Sequence, residues 1–375
     1  MITGAGVVTT HGSGLAVGWD ALVGAQPAGR DWSPDGEFGD FFAAPIGEDY
    51  RPHEDIPRNL AHFMDRGSLI AVDAALQAVA SAGLSAGAGD SRRFAVADGL
   101  PYRAPGQATL FVPYGHVIAR VLGTRGPAVT EGGVEASGLA AIATAARLIA
   151  RNDADIVIAG GAQALQRPLL DHLRAQGFSG RSAAKPFDIA HGGMVPAEGA
   201  AYLVIEAEGH ARERGAAILG RIAGVGQIFD STAEPLVTSD SAEAGRAMQA
   251  ALGDAGYLQN QVDLHLSSAD GRPGVDFGEG YGAKRTFGRH AYYAAVSAIA
   301  GALGNALGAS GALSLAFALE AFQRQQVFPI AGFENPETDM ELAYVRTARA
   351  EKLDCILVTS LGVGGTNVGI VLSRE

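Results

Sequence analysis

The strongest constraint on this chain is an alternation that runs through it twice, in which short apolar stretches of strand length are separated by helical segments rich in small residues. Ile2 to Thr9 (ITGAGVVT) is apolar throughout and predicts a buried strand that begins at once, which leaves no room for a targeting leader. Asp65 to Ala82 carries apolar positions at helical spacing and ends at Gly83, a natural stop. A short strand is expected over Arg93 to Ala97, an Ala-rich helix over Ala136 to Ala150, and buried strands over Ile156 to Gly161 and Ala200 to Glu206. The second series runs through Gly220 to Gly226, a helix from Ala242 to Ala255, the strand Val262 to Ser267, a small-residue helix over Leu307 to Phe322, and terminal strands at Cys355 to Ser360 and Asn367 to Ser373. Such alternation implies an α/β protein with mostly parallel sheets. Two series imply a duplication divided near Glu208, giving halves 1–208 and 209–375.

Composition narrows the function classes. With 375 residues, 47% of them hydrophobic, the chain is long enough to bury a large core. No stretch reaches the roughly 18 consecutive apolar residues of a spanning helix, so no membrane role is indicated and the cytoplasm is the expected compartment. The net charge of −12 and the lack of a basic run argue against nucleic acid or an anionic membrane as partner. The single cysteine, Cys355, excludes an internal disulfide and makes a cysteine-ligated metal site a poor fit. The 52 glycines recur in short groups beside apolar runs, where backbones pack closely or turn sharply.

Eight segments occur in an order that resembles the β-ketoacyl synthase family over essentially the whole chain: ITGAGVVT at Ile2, MDR at Met64, TRGPAV at Thr124, ADIVIAGGAQAL at Ala154, KPFDIAHGGMVPAEGAAYLVIE at Lys185, HARERGA at His210, NALGASGAL at Asn305 and LGVGGTN at Leu361. The resemblance implies a thiolase-like, five-layer αβαβα fold with duplicated halves. The family's chemistry needs a cysteine nucleophile at a sharp turn into a helix, where the helix dipole lowers the thiol pKa. It also needs two histidines that hold the thioester carbonyl and promote malonyl decarboxylation, with a lysine nearby. The matching positions are Glu135 for the cysteine, Ser268 for the first histidine, Ala300 for the lysine and Asn305 for the second histidine. All four are changed. A carboxylate does not carry an acyl group through thioester exchange, and without imidazoles nothing stabilises a decarboxylation enolate.

The resemblance therefore implies a non-catalytic subunit similar to the chain length factors of type II polyketide synthases, which usually carry Gln where this chain has Glu135. The runs SADGRPGVD from Ser268, VPAEG and IAGVGQIFD point the same way. Such a subunit pairs with an active ketosynthase as a heterodimer, shapes the acyl tunnel and limits chain length. The growing chain arrives on the phosphopantetheine arm of an acyl carrier protein, and no metal or organic cofactor is implied. Carrier proteins are acidic, so the main basic docking patch is expected on the partner and not on this acidic chain. Tyr102, Phe111 and Tyr114 fall in the region that lines the tunnel end in that family, a region shorter here, and a surface loop is the other reading of the same Pro- and Gly-rich stretch. This shortening and Glu135 suggest a divergent system making reduced polyenes.

Other candidates have plainer readings. Glu135 is either an acid that supports decarboxylation or, more simply, a carboxylate stabilised at a helix N-terminus; the partners an activated acid needs are not visible in the sequence. Cys355 sits in an apolar strand and reads as an inert core thiol. His265, three residues before Ser268, is expected on the opposite strand face. His116 and His191 read as polar or interface residues near the pocket, Asp188 and Glu198 as parts of a structural turn, and Leu361 as the replacement of a gating phenylalanine. Two other function classes stay open: an acyl decarboxylase or acyltransferase using Glu135, and a homodimeric acyl-binding scaffold of the same fold.

Overall fold

The computed structural model describes residues 1–374 except 37–39, 63, 86–88, 105–111 and 233–240. The apolar runs form two six-stranded sheets. In the first, Ile2–Thr9 pairs antiparallel with Gly199–Glu206, which pairs antiparallel with Ile156–Gln163. Phe94–Gly99 and Ala128–Glu131 then continue the sheet in parallel. The second sheet repeats this pattern: Arg221–Phe229, Thr366–Ser373 and Cys355–Leu361 pair antiparallel, and Leu264–Ser267 and Ala295–Ala298 follow in parallel. The identical sequence of pairings is direct geometric evidence of duplication. It also corrects one expectation, because both sheets are mixed and not mostly parallel. The antiparallel pair Ile2–Thr9 and Gly199–Glu206 is buried at every position, like the parallel strands Phe94–Gly99 and Leu264–Ser267, so burial pattern alone gave no clue to direction.

Between the sheets lie two helices, Ser137–Ala150 and Ser310–Arg324, which contact each other and both sheets. Arg66–Ser81 and Tyr114–Leu122 cover the outer face of the first sheet, while Ser241–Ala255 and Pro273–Phe287 lie over the second. The layers are therefore αβαβα, the thiolase-like arrangement. Small residues make the central layer possible: a Cβ on Gly138 would lie 2.6 Å from the Gly308 carbonyl oxygen, and one on Gly161 would lie 2.5 Å from the same atom.

Each central helix starts from a 3-10 turn, Val134–Ala136 in the first half and Leu307–Ala309 in the second. Both turns open on a bulky residue at positive φ, Val134 at 53° and Leu307 at 44°. A β-branched residue in that region is strained and persists only where its surroundings impose it. The two strained turns face each other between the sheets, and the candidate site is built on them.

Candidate functional site

Glu135 occupies the apex of the first strained turn and is 3% exposed. Its Oε1 accepts from Arg272 Nη2 at 2.7 Å, and its Oε2 accepts from the backbone N–H of Val363 at 2.9 Å. The Glu135 carbonyl accepts from Ser360 Oγ at 3.1 Å. Glu135 thus joins the first central helix to two loops of the second half. The partners that sequence could not supply are present, and they are structural: a guanidinium and a backbone amide.

Arg272 is also bonded to Asp270, through Nε at 2.9 Å and Nη2 at 2.7 Å to Oδ2, and its guanidinium lies 5.2 Å over the Phe178 ring. Asn305 Nδ2 donates to the same Asp270 oxygen at 2.5 Å, while Asn305 Oδ1 accepts from the Leu307 amide at 2.7 Å and Ser310 Oγ at 3.0 Å. Two of the four changed positions, Glu135 and Asn305, therefore share one buried network with Asp270 and Arg272. Burial works against the charge of Arg272, but Asp270 and then Glu135 more than offset it, so its pKa lies above the ordinary value. Asp276 shapes the turn by accepting from the amides of Phe187, Asp270 and Gly271. Burial and then the Asp270 charge push the Asp276 pKa well above the usual carboxylate range, against the pull of those three amides. The Arg272 arrangement went unforeseen; its only sequence signal is one basic residue between two aspartates in the Gly/Pro-containing SADGRPGVD run.

Ser268 lies just beyond the strand Leu264–Ser267. Its Oγ donates to Glu279 Oε1 at 2.5 Å and accepts from the Leu361 amide at 3.1 Å. His265 Nε2 sits 3.3 Å from Glu279 Oε2 and 2.9 Å from Thr359 Oγ1. The expectation that His265 and Ser268 face apart is therefore corrected: the strand ends at Ser267, alternation stops with it, and both side chains converge on one buried carboxylate. Burial opposes the charge of Glu279, but hydrogen bonds from His265, Ser268 and Thr359 hold its pKa below the usual value. Ala300 is buried at the start of the short helix Ala300–Leu303 and brings no polar side-chain atom.

Leu361 is buried at the end of its strand. Tyr102 OH is 2.9 Å from His172 Nε2, and Tyr114 is buried at the start of its helix. The cavity lined by Tyr102, Tyr114, Arg103 and Gln163 measures about 10 Å³, room for about one water. Phe111 lies outside the described residues. His116 is exposed on the Tyr114–Leu122 helix, whereas His191 lines a cleft of about 420 Å³ with Phe178, Gly193, Arg272 and Val275. Cys355 is buried, and burial followed by the charge of Asp263 pushes its thiol up to about 12, the inert state read from its context. Asp188 accepts from the amides of Ala190, Glu334 and Asn335, and Glu198 is bound by Arg66 and the amides of Ile46 and Leu165, so both are structural as expected. Among the described residues no group of His, Cys, Asp or Glu is arranged to hold a metal ion, and no helix is long and apolar enough to cross a membrane.

A duplicated αβαβα fold with its polar centre at the turns of two abutting helices defines the thiolase-like class. Within it, residues 114–211 match the family model "Beta-ketoacyl synthase, N-terminal domain" and residues 219–334 match "Beta-ketoacyl synthase, C-terminal domain". The chain is 31% identical to "3-oxoacyl-[acyl-carrier-protein] synthase 2" of Coxiella burnetii (strain RSA 493 / Nine Mile phase I), with 100% of this chain and 98% of that protein covered. It is 30% identical to a Streptomyces cyaneus protein assigned as polyketide beta-ketoacyl synthase 1, covering 99% of this chain and 97% of the relative. Among solved structures, a beta-ketoacyl synthase from Burkholderia phymatum STM815 superposes with a TM-score of 0.91 at 28% identity, covering 100% of this chain and 98% of that one. "The ishigamide ketosynthase/chain length factor" superposes with a TM-score of 0.88 at 22% identity, again over 100% and 98% of the two chains. The chain belongs to the β-ketoacyl synthase family.

Proposed function

We propose that this chain is a chain length factor: a subunit that does no condensation itself, pairs with an active ketosynthase, and helps shape the acyl tunnel of a polyketide synthase. The carrying observation is that Glu135, at the turn where the family places its nucleophile, is held by Arg272 and the Val363 amide, while Ser268, Ala300 and Asn305 offer neither imidazole nor amine. An acid committed to a guanidinium is a poor base, and a carboxylate is not a thioester carrier. Similarity to a polyketide relative from Streptomyces and to a solved ketosynthase/chain length factor chain supports the polyketide setting.

In this reading the partner supplies the cysteine and histidines, and the carrier protein delivers the chain on its phosphopantetheine arm. Tyr102 and Tyr114 then act through bulk, as a wall against which the elongating chain stops. The polyene expectation belongs to the same reading, and a product profile made only of long aromatic polyketides would remove it. The test is co-expression with a ketosynthase from the same source that retains Cys, His and His. Co-elution on size exclusion, and elongation lost when the partner's cysteine is replaced, are the expected results. Elution of two separate proteins under conditions where the ketosynthase elongates alone would contradict the proposal.

A further inference from the structure

The geometry points to a closed site: Arg272, fixed by Asp270 and Phe178, is a bolt that seals position 135 from the cleft beside it, and Glu135 is the catch that holds the Leu361–Thr366 turn in place. This deepens the reading above, because position 135 matters only as the counterpart of a nucleophile.

Three observations carry it. First, Arg272 lines the 420 Å³ cleft, and Glu135 lies against it on the Nη2 side at 2.7 Å. Second, Arg272 is itself 6% exposed and fixed on three sides, by Asp270, by Glu135 and by the face of Phe178. A buried arginine with two carboxylate partners does not swing aside cheaply, since leaving them strands buried charge. Third, the loop that follows Leu361 is pinned at two amides: Leu361 N–H to Ser268 Oγ and Val363 N–H to Glu135 Oε2. Gly364 and Gly365, both near φ +100°, give this loop a turn that few other residues adopt. Of the residues that stand where the family keeps catalytic groups, Glu135 has thus become a fastener between the two halves and Ser268 a fastener within the second. The site has lost its chemistry and has also been shut.

A thiol at position 135 reports on this directly. In Glu135→Cys the neighbouring guanidinium favours the thiolate, so an open site would make this cysteine unusually fast toward iodoacetamide. A bolted site makes it slow. We expect Glu135→Cys to alkylate at least tenfold more slowly than Glu135→Cys/Arg272→Ala, with the adduct located by peptide mass spectrometry and Cys355 as the internal slow reference. Equal rates, or a faster single variant, would overturn the bolt. Should the double variant fail to fold, hydrogen exchange on the unaltered protein and on Glu135→Ala decides the matter. The amides of 361–366 are expected to exchange at least tenfold faster once the catch is removed, and unchanged exchange would overturn it. Both readouts concern access to position 135 whether or not the chain pairs with a ketosynthase, so this inference and the chain-length-factor reading fail separately.

Discussion

At the scale of single residues, the centre of this protein is governed by how buried charge is compensated. Glu135, Asp270 and Arg272 are all nearly or fully buried, and the two carboxylates compensate the guanidinium charge through its Nε and Nη2. Replacing Arg272 by Met would leave two carboxylates facing each other, and a loss of about 3–5 kcal/mol is expected; urea unfolding of the variant measures it. Asp98 shows the opposite case. It is fully buried and accepts from Tyr202 OH at 2.6 Å and the Gly115 amide at 2.8 Å; burial pushes its pKa up to about 7 despite those two bonds. Because the folded pKa exceeds the unfolded one, the contribution of Asp98 is fully present below about pH 4 and is lost as pH rises to about 7. Asp98→Asn keeps a neutral acceptor at every pH. The variant should therefore lose less stability than the parent between pH 4.5 and 8, by roughly 2–4 kcal/mol, in denaturation curves at the two pH values. Identical pH dependence would contradict this account of Asp98.

At the scale of elements, sequence and structure agree where burial is uniform and part where glycine intervenes. The strands Ile2–Thr9 and Gly199–Glu206 and the helices Arg66–Ser81 and Ser137–Ala150 were legible because an unbroken apolar run or a 3.6-residue period states them directly. The helix Pro273–Phe287 was not, since Gly274, Gly278, Gly280 and Gly282 interrupt its pattern. Gly280 and Gly282 serve packing: a side chain at Gly280 would collide with Met340, and one at Gly282 would lie 3.1 Å from Ala244 Cβ. Close helix packing outweighs intrinsic propensity here. Strand direction was illegible for a related reason, because sheets covered by helices on both faces bury parallel and antiparallel strands alike. The positions of Glu135, Ser268, Ala300 and Asn305 could be read by resemblance, but Arg272 could not, since its role depends on Glu135 lying 137 residues away. The central helix offers a test: Gly138→Ala places a methyl against the Gly308 carbonyl, and a loss of about 1–3 kcal/mol is expected by thermal unfolding.

At the scale of the whole molecule, duplication sets the site's location and divergence sets its content. Two halves with the same order of strand pairings bring two strained turns together, each at the start of a central helix. That frame suits an activated nucleophile, and this chain fills it with an ion-pair network instead. Whether Glu135 performs chemistry is read from elongation of malonyl-carrier protein by the isolated chain, by the pair, and by the pair carrying Glu135→Gln. Glutamine keeps an acceptor for the Val363 amide and removes the carboxylate. No product is expected from the isolated chain, and elongation unchanged within about twofold is expected from the Glu135→Gln pair. Condensation or CO2 release by this chain alone, abolished by Glu135→Gln, would contradict this expectation.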